Sequence, residues 1–414
     1  MLFAVSLILA TSATFSPVAG ATVAPDYSAT FRVPASLRIE SAIRGAESVP
    51  SILAAPPAAS DVASWWRSLP ANEQSSLITG EPQLVGNLGG VPIAMRDAAN
   101  RRLLADAISE ETGVETASNG RGARLVEQRR LHMLREVQAA LTPAAGGAKR
   151  HLLSLDTDGY GTAAVAIGDV ATSDYVSYLV PGMFFTIDGQ IVDWTDSTQV
   201  LYDAQRNWLD ELGEPGAATA AVAWIGYQTP GLTSVGTLDL AKQAQQALTD
   251  ELAGLRAARA SAEPFVSVVA HSYGSTSAMM ALSGPHAPEV DALAMIGSPG
   301  GAAQQASDLR VEGNAVFVGA GAAWDPVPGT AFFGADPGSP SFGAHVFTTA
   351  AGTDPITKGS LAAAVGHNGY FDAGSQSVRN LALITIGRGD LVTGPGAGVM
   401  IADTGRTSIS ASGR

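Results

Sequence analysis

Three residues far apart in this chain, Ser272, Asp325 and His367, have the types that nucleophilic acyl chemistry needs. A serine hydroxyl is a weak nucleophile until an imidazole takes its proton, and a carboxylate must fix that imidazole's tautomer. The three occur in the order Ser, Asp, His. Ser272 sits at the centre of Ala270-His271-Ser272-Tyr273-Gly274. Residues two before and two after the serine are small, as a sharp turn between a strand and a helix demands. Glycine commonly stands at both places, so Ala270 is a mild departure. Such a turn projects the Ser272 hydroxyl outward. It also aims the backbone N–H of Tyr273 at the same spot, at a helix N-terminus, where developing negative charge is favoured. The chemistry that fits is cleavage of an ester or related acyl bond through a covalent acyl-enzyme.

A pentapeptide is weak on its own, because any Ser-Gly turn between a strand and a helix would produce it. The wider pattern has to decide. The sequence has six histidines. His132 falls in a helical region, His151 begins a strand, and His286 follows a helix. His271 neighbours the serine and is read as pointing elsewhere. His345 precedes a strand, at its wrong end, and is the runner-up for the base. His367 lies in a loop at the right end, between Gly366 and Gly369, which give the backbone freedom. For the orienting acid, Asp325-Pro326 also reads as an ordinary turn start, and Asp354 is the rival. A second oxyanion donor is expected from the loop after Tyr175–Val180, where Gly182 permits close approach and Met183 offers its N–H. Phe184 and Phe185 line an acyl pocket in one reading and pack in the core in the other.

The elements that must position these groups are legible as alternating strands and helices. Phe265–Val269 is a short apolar, β-branched strand and Ser275–Leu282 a helix. His151–Asp156 and Ala163–Gly168 bracket a hairpin. Tyr175–Val180, Ala220–Ile225, Ala292–Ile296, Ala315–Gly319 and Val346–Thr349 read as further strands. Asp196–Leu212, Leu238–Ala260 and Ser377–Ile386 read as helices. The expected fold class is α/β: a mostly parallel central sheet opened by an antiparallel hairpin, with helices on both faces and a site at the carboxyl ends of its strands. Each candidate residue follows a strand.

Upstream, residues 33–147 read as a helical N-terminal region, joined by the linker Pro143–Gly147 to a catalytic domain over 148–414. Ala35–Glu40 begins an amphipathic run. Asp61 reads as the N-cap of a helix from Val62 that Pro70 stops. Gly86–Gly90 reads as a turn. Val91–Glu110 and Leu125–Leu141 are the clearest helices, separated by Thr116–Gly122. Trp65-Trp66 and Arg129-Arg130 suit plain packing or a lid or substrate platform over the catalytic mouth.

Composition closes off several classes. The formal charge of −14 and the lack of a basic patch argue against nucleic acid. With no cysteine there is no disulfide, thiolate metal site or cysteine nucleophile. Asp156-Thr157-Asp158-Gly159 resembles the start of a calcium loop but lacks the later carboxylates, so no metal is expected, and no cofactor. Residues 1–32 suit a signal peptide or a tail. Leu2–Ala10 is apolar, with Ala19-Gly20-Ala21 as a cleavage candidate, but no Lys or Arg precedes it. It is too short for a stable transmembrane span. A cleaved leader implies a secreted or cell-envelope protein; an uncleaved tail leaves it cytoplasmic. The expected partner is a small-molecule or lipid-like acyl substrate, and a protein partner is left unspecified.

A resemblance adds to this reading. It rests on Val180-Pro181-Gly182, Trp224-Ile225-Gly226-Tyr227 with Pro230, Ala270-His271-Ser272-Tyr273-Gly274-Ser275, Asp325-Pro326-Val327, and His367 with Tyr370-Phe371. On these the chain resembles a bacterial α/β-hydrolase family long catalogued as a domain of unknown function, from about Tyr160 to Ile386. Trp65-Trp66 to Leu69, Gly86-Asn87-Leu88, Arg96-Asp97 and Asn100-Arg101 are similar to a helical extension often attached to that family. The resemblance implies the α/β-hydrolase fold and a Ser-Asp-His triad, and no substrate. Ala270 and the Met183-Phe184-Phe185 continuation depart from the family pattern, which bears on loop geometry and substrate size. Two classes of function stay open: a serine hydrolase of the esterase–lipase type, or a non-catalytic hydrolase-fold binding protein.

Overall fold

A computed structural model describes residues 58–114 and 121–396. Residues 1–32, read as a signal peptide or a tail, the run at Ala35–Glu40 and most of the break at Thr116–Gly122 lie outside the described residues.

The sheet has eight strands: β1 (Arg150–Asp156), β2 (Thr162–Ile167), β3 (Tyr175–Val180), β4 (Thr219–Ile225), β5 (Phe265–His271), β6 (Ala292–Ile296), β7 (Val316–Gly319) and β8 (His345–Phe347). Their order in space is β1-β2-β4-β3-β5-β6-β7-β8. β2 is antiparallel to both β1 and β4, and every later pairing is parallel. Helices cover both faces, so the central strands are apolar throughout rather than alternating. All seven residues of β4 and the last six of β5 are buried.

Successive residues on β5 feed opposite faces. Val269 packs with Trp194 and Leu201 of α6 (Ile187–Glu211) and with Leu381 of a C-terminal helix at Gln376–Thr385. Val268 and Ala270 pack with Leu248 and Leu252 of α7 (Asp239–Ala258) and Met279 of α8 (Tyr273–Ala281). Burial of each such side chain contributes about 1.5–3 kcal/mol. α6 begins nine residues before the expected Asp196. Gly189 and the β-branched Ile187, Ile191 and Thr195 disfavour a helix there. Ile187, Ile191 and Trp194 nonetheless fall on one buried face, and packing overrides propensity.

The N-terminal helices are α1 (Ala59–Ser68), α2 (Ala71–Gly80), α3 (Pro82–Asn87), α4 (Ile93–Val114) and α5 (Arg121–Ala140). Asp61 is not the N-cap: α1 starts earlier, behind Ala58, and Asp61 lies in the first turn, where the helix dipole favours an acid. Gly86 and Asn87 close α3 rather than a turn. Trp66 is buried in a small cluster with Val62, Val85 and Val91. Arg129 pairs with Asp188 at 2.9 Å, and Arg130 with Glu111 at 2.9 Å. Arg96 of α4 and Glu251 of α7 form a buried ion pair at 2.9 Å, to which the Tyr178 hydroxyl donates. Removing one partner alone would strand a buried charge, at about 3–5 kcal/mol. Among the described residues no helix is long and apolar enough to cross a membrane.

Candidate active site

β5 ends at His271, and the next residue carries the backbone into an unusual conformation. Ser272 has φ 56° and ψ −130°, a region that costs a non-glycine residue about 1–3 kcal/mol. Its N–H donates to Ile296 O on β6 at 2.9 Å, and its carbonyl accepts from the Ser275 N–H and hydroxyl. Crowding explains the small neighbours. A Cβ on Gly274 would lie 2.5 Å from the carbonyl oxygens of Val180 and Pro181. One on Gly182 would lie 2.6 Å from Ser272 Cβ and 3.0 Å from Oγ. The Pro181–Gly182 loop therefore closes directly over the serine. It is held there by the Tyr227 hydroxyl, which donates to Pro181 O at 2.7 Å, and by the Phe184 N–H, which reaches Pro230 O at 3.0 Å.

The three distant side chains meet. His367 Nε2 is 2.7 Å from Ser272 Oγ, and His367 Nδ1 is 2.9 Å from Asp325 Oδ1. Asp325 follows β7 in a loop turned by Trp324, whose φ is 65°. The loop carrying His367 is pinned to it by the Gly366 N–H, which donates to Ala323 O at 2.7 Å. Gly297, at φ 58°, leaves room for the imidazole: a Cβ there would be 3.0 Å from His367 Cε1. Asp325 has no solvent-accessible side-chain surface. Burial disfavours its charge, but hydrogen bonds from His367, Tyr370 and the Val327 N–H, with the attraction of His367, outweigh that and hold its pKa below the usual carboxylate value.

The rivals are engaged elsewhere. Asp354 is buried against Arg379 at 2.7 Å and accepts from the Ile356 and Thr357 amides. His345 opens β8 with its ring beside Phe317. Two residues near the triad have contacts the sequence reading did not anticipate. Tyr370 donates to Asp325 Oδ2 at 2.6 Å and accepts from the Ala322 N–H at 3.1 Å. His271 does not point away: its Nε2 lies 2.7 Å from His367 O, and the two rings are 4.7 Å apart. Period-two alternation along β5 was the available signal, because it puts His271 on the face of Val269. Burial, with repulsion from His367, pushes the pKa of His271 down to about 3.

Comparison with known proteins agrees with this architecture. The chain is 27% identical, over 82% of its length, to uncharacterized proteins from two strains of Mycobacterium tuberculosis (CDC 1551 / Oshkosh and ATCC 25618 / H37Rv), and spans 57% of the length of each. Among solved structures, a CIB-like hydrolase from Thermoplasma acidophilum is similar at 14% identity and a TM-score of 0.31, covering 58% of this chain and 96% of that one. Esterase PE8 is similar at 16% identity and a TM-score of 0.31, covering 49% and 89%. At such scores these likenesses carry no argument of their own. Residues 156–335, from the end of β1 through the loops after β7, match the model of a family described as alpha/beta hydrolase, and the sheet and turn have the α/β-hydrolase fold.

Proposed function

We propose that this protein hydrolyses an ester or related acyl bond through a covalent acyl-enzyme, with Ser272 as nucleophile, His367 as acid and base, and Asp325 as its orienter. The observation that carries the reading is the contact between His367 Nε2 and Ser272 Oγ at 2.7 Å, on a strained turn at the end of β5 that leaves the serine only 5% exposed. Ser272 Oγ attacks the acyl carbon as its proton passes to His367 Nε2. The carbonyl oxygen becomes an oxyanion facing the N–H groups of Tyr273 and Met183, with Gly182 leaving the space. Collapse expels the alcohol, which takes the proton from His367. Water then repeats the sequence in reverse, giving the acid and free serine.

The surroundings favour an apolar acyl group. Trp324 is 90% exposed and Phe332 62%, and Phe184, Leu232 and Val365 are also exposed. All five lie on loops at the carboxyl ends of strands or beside His367. Large rings left in water near a reactive serine gain by contact with hydrocarbon.

Treatment with a fluorophosphonate tests the reading. The wild-type protein takes up one label, mapped by mass spectrometry to Ser272, and Ser272→Ala takes up none. Folded wild-type protein that stays unlabelled would point instead to a hydrolase-fold binding protein.

A further inference from the structure

We propose that His271 is a positioning residue for His367, tying the loop that carries the base to the end of the strand that carries the nucleophile. The proposal rests on the triad reading above and extends it to a fourth side chain. A carbonyl oxygen can only accept, so the contact between His271 Nε2 and His367 O at 2.7 Å puts the His271 proton on Nε2. Nδ1 is then a bare acceptor. It is buried and has no hydrogen-bond partner among the described residues. Leaving a buried polar atom unsatisfied costs about 1–3 kcal/mol. A leucine would fill comparable space without that cost, so packing does not account for an imidazole here. What the imidazole supplies is the Nε2–H bond.

The bond is placed where the chain needs an anchor. Gly366 has φ 71° and Gly369 follows two residues after His367, so the backbone of the base has little stiffness of its own. Two ties hold it: the Gly366 N–H to Ala323 O, on the side of the acid, and His271 Nε2–H to His367 O, on the side of the nucleophile. The second joins residues 96 apart in sequence. Phe185 and Phe371 meet the His271 ring edge to face, and Tyr370 packs beside it. The ring therefore cannot swing away, and any movement of the His367 backbone must break the bond.

His271→Leu and His271→Met remove the donor, whereas His271→Gln keeps an N–H at comparable reach. Two measurements are made on each. One is the rate of fluorophosphonate labelling, with kcat and KM on an ester. The other is the downfield proton resonance of His367 Nδ1–H against Asp325, which needs no turnover. In His271→Leu and His271→Met, labelling and kcat fall about 10- to 100-fold with KM nearly unchanged, because a displacement of about 1 Å costs on that order. The resonance broadens, and His271→Gln restores most of both. Wild-type rates and resonance in His271→Leu or His271→Met would overturn the proposal. So would equal loss in His271→Gln, which marks a packing role. The methionine variant keeps the comparison possible if the leucine variant does not fold. Wild-type protein that shows the resonance but never labels would sink the hydrolase reading, while the resonance still judges the tie.

Discussion

Asp325→Asn lowers kcat roughly 10⁴-fold and leaves the thermal midpoint and KM nearly unchanged. Three donors converge on this carboxylate: His367 Nδ1–H and the Val327 N–H on Oδ1, and the Tyr370 hydroxyl on Oδ2. An asparagine offers one oxygen and one NH₂ group. If the NH₂ faces His367, Nδ1 must become the acceptor, and the proton moves to Nε2, where it confronts Ser272 Oγ. The base is then in the wrong tautomer for taking the serine proton. If the NH₂ faces Tyr370, that hydroxyl must turn its own proton away while it still accepts from the Ala322 N–H. Steady-state kinetics on a simple ester, with circular dichroism as the control for folding, decides the matter. A loss of less than about tenfold would remove Asp325 from the orienting role. Asp354, already committed to Arg379 at 2.7 Å, would be a poor substitute.

Gly182→Ala reduces kcat/KM by about 10²–10³-fold, the range associated with losing one oxyanion donor. The added Cβ would lie 2.6 Å from Ser272 Cβ and 3.1 Å from the His271 carbonyl oxygen. Neither neighbour is the tip of a flexible side chain, so the loop itself must retreat. Its anchor at Pro181 O, the Tyr227 hydroxyl at 2.7 Å, resists that retreat. The conflict costs about 1–3 kcal/mol of stability, and it carries the Met183 N–H away from the position it takes in the proposed site. Burst amplitude and thermal melting, measured together, separate the two effects. Wild-type turnover would show that this loop contributes no donor.

How much of this was legible in the sequence differs from element to element. The hairpin and the parallel strands stood out because each is short, apolar and bounded by turn residues. The Ser272 turn stood out because crowding at Gly274 restricts what can stand there. The order of the strands was not legible: nothing local in Tyr175–Val180 says that it lies between β4 and β5. The start of α6 was missed because Ile187–Thr195 has poor helix propensity and owes its conformation to the sheet beneath it. Asp61 as N-cap was misplaced by three residues, since an acid near a helix start serves equally well in the first turn. Tyr370 and His271 escaped for another reason. Their contacts pair residues 45 and 96 apart, fixed only when distant segments of the chain come together.

Keeping the His271 ring neutral in the interior gives the molecule an acid side. Once folded, the ring takes up a proton only near pH 3, whereas its ordinary value is 6.5. Between those two values the unfolded chain is protonated here and the folded chain is not, so acidification drains stability, by a few kcal/mol at the far end. Above pH 6.5 neither form carries the proton, and this ring adds nothing further. Souring the medium, not making it alkaline, is the direction in which His271 leaves the protein fragile.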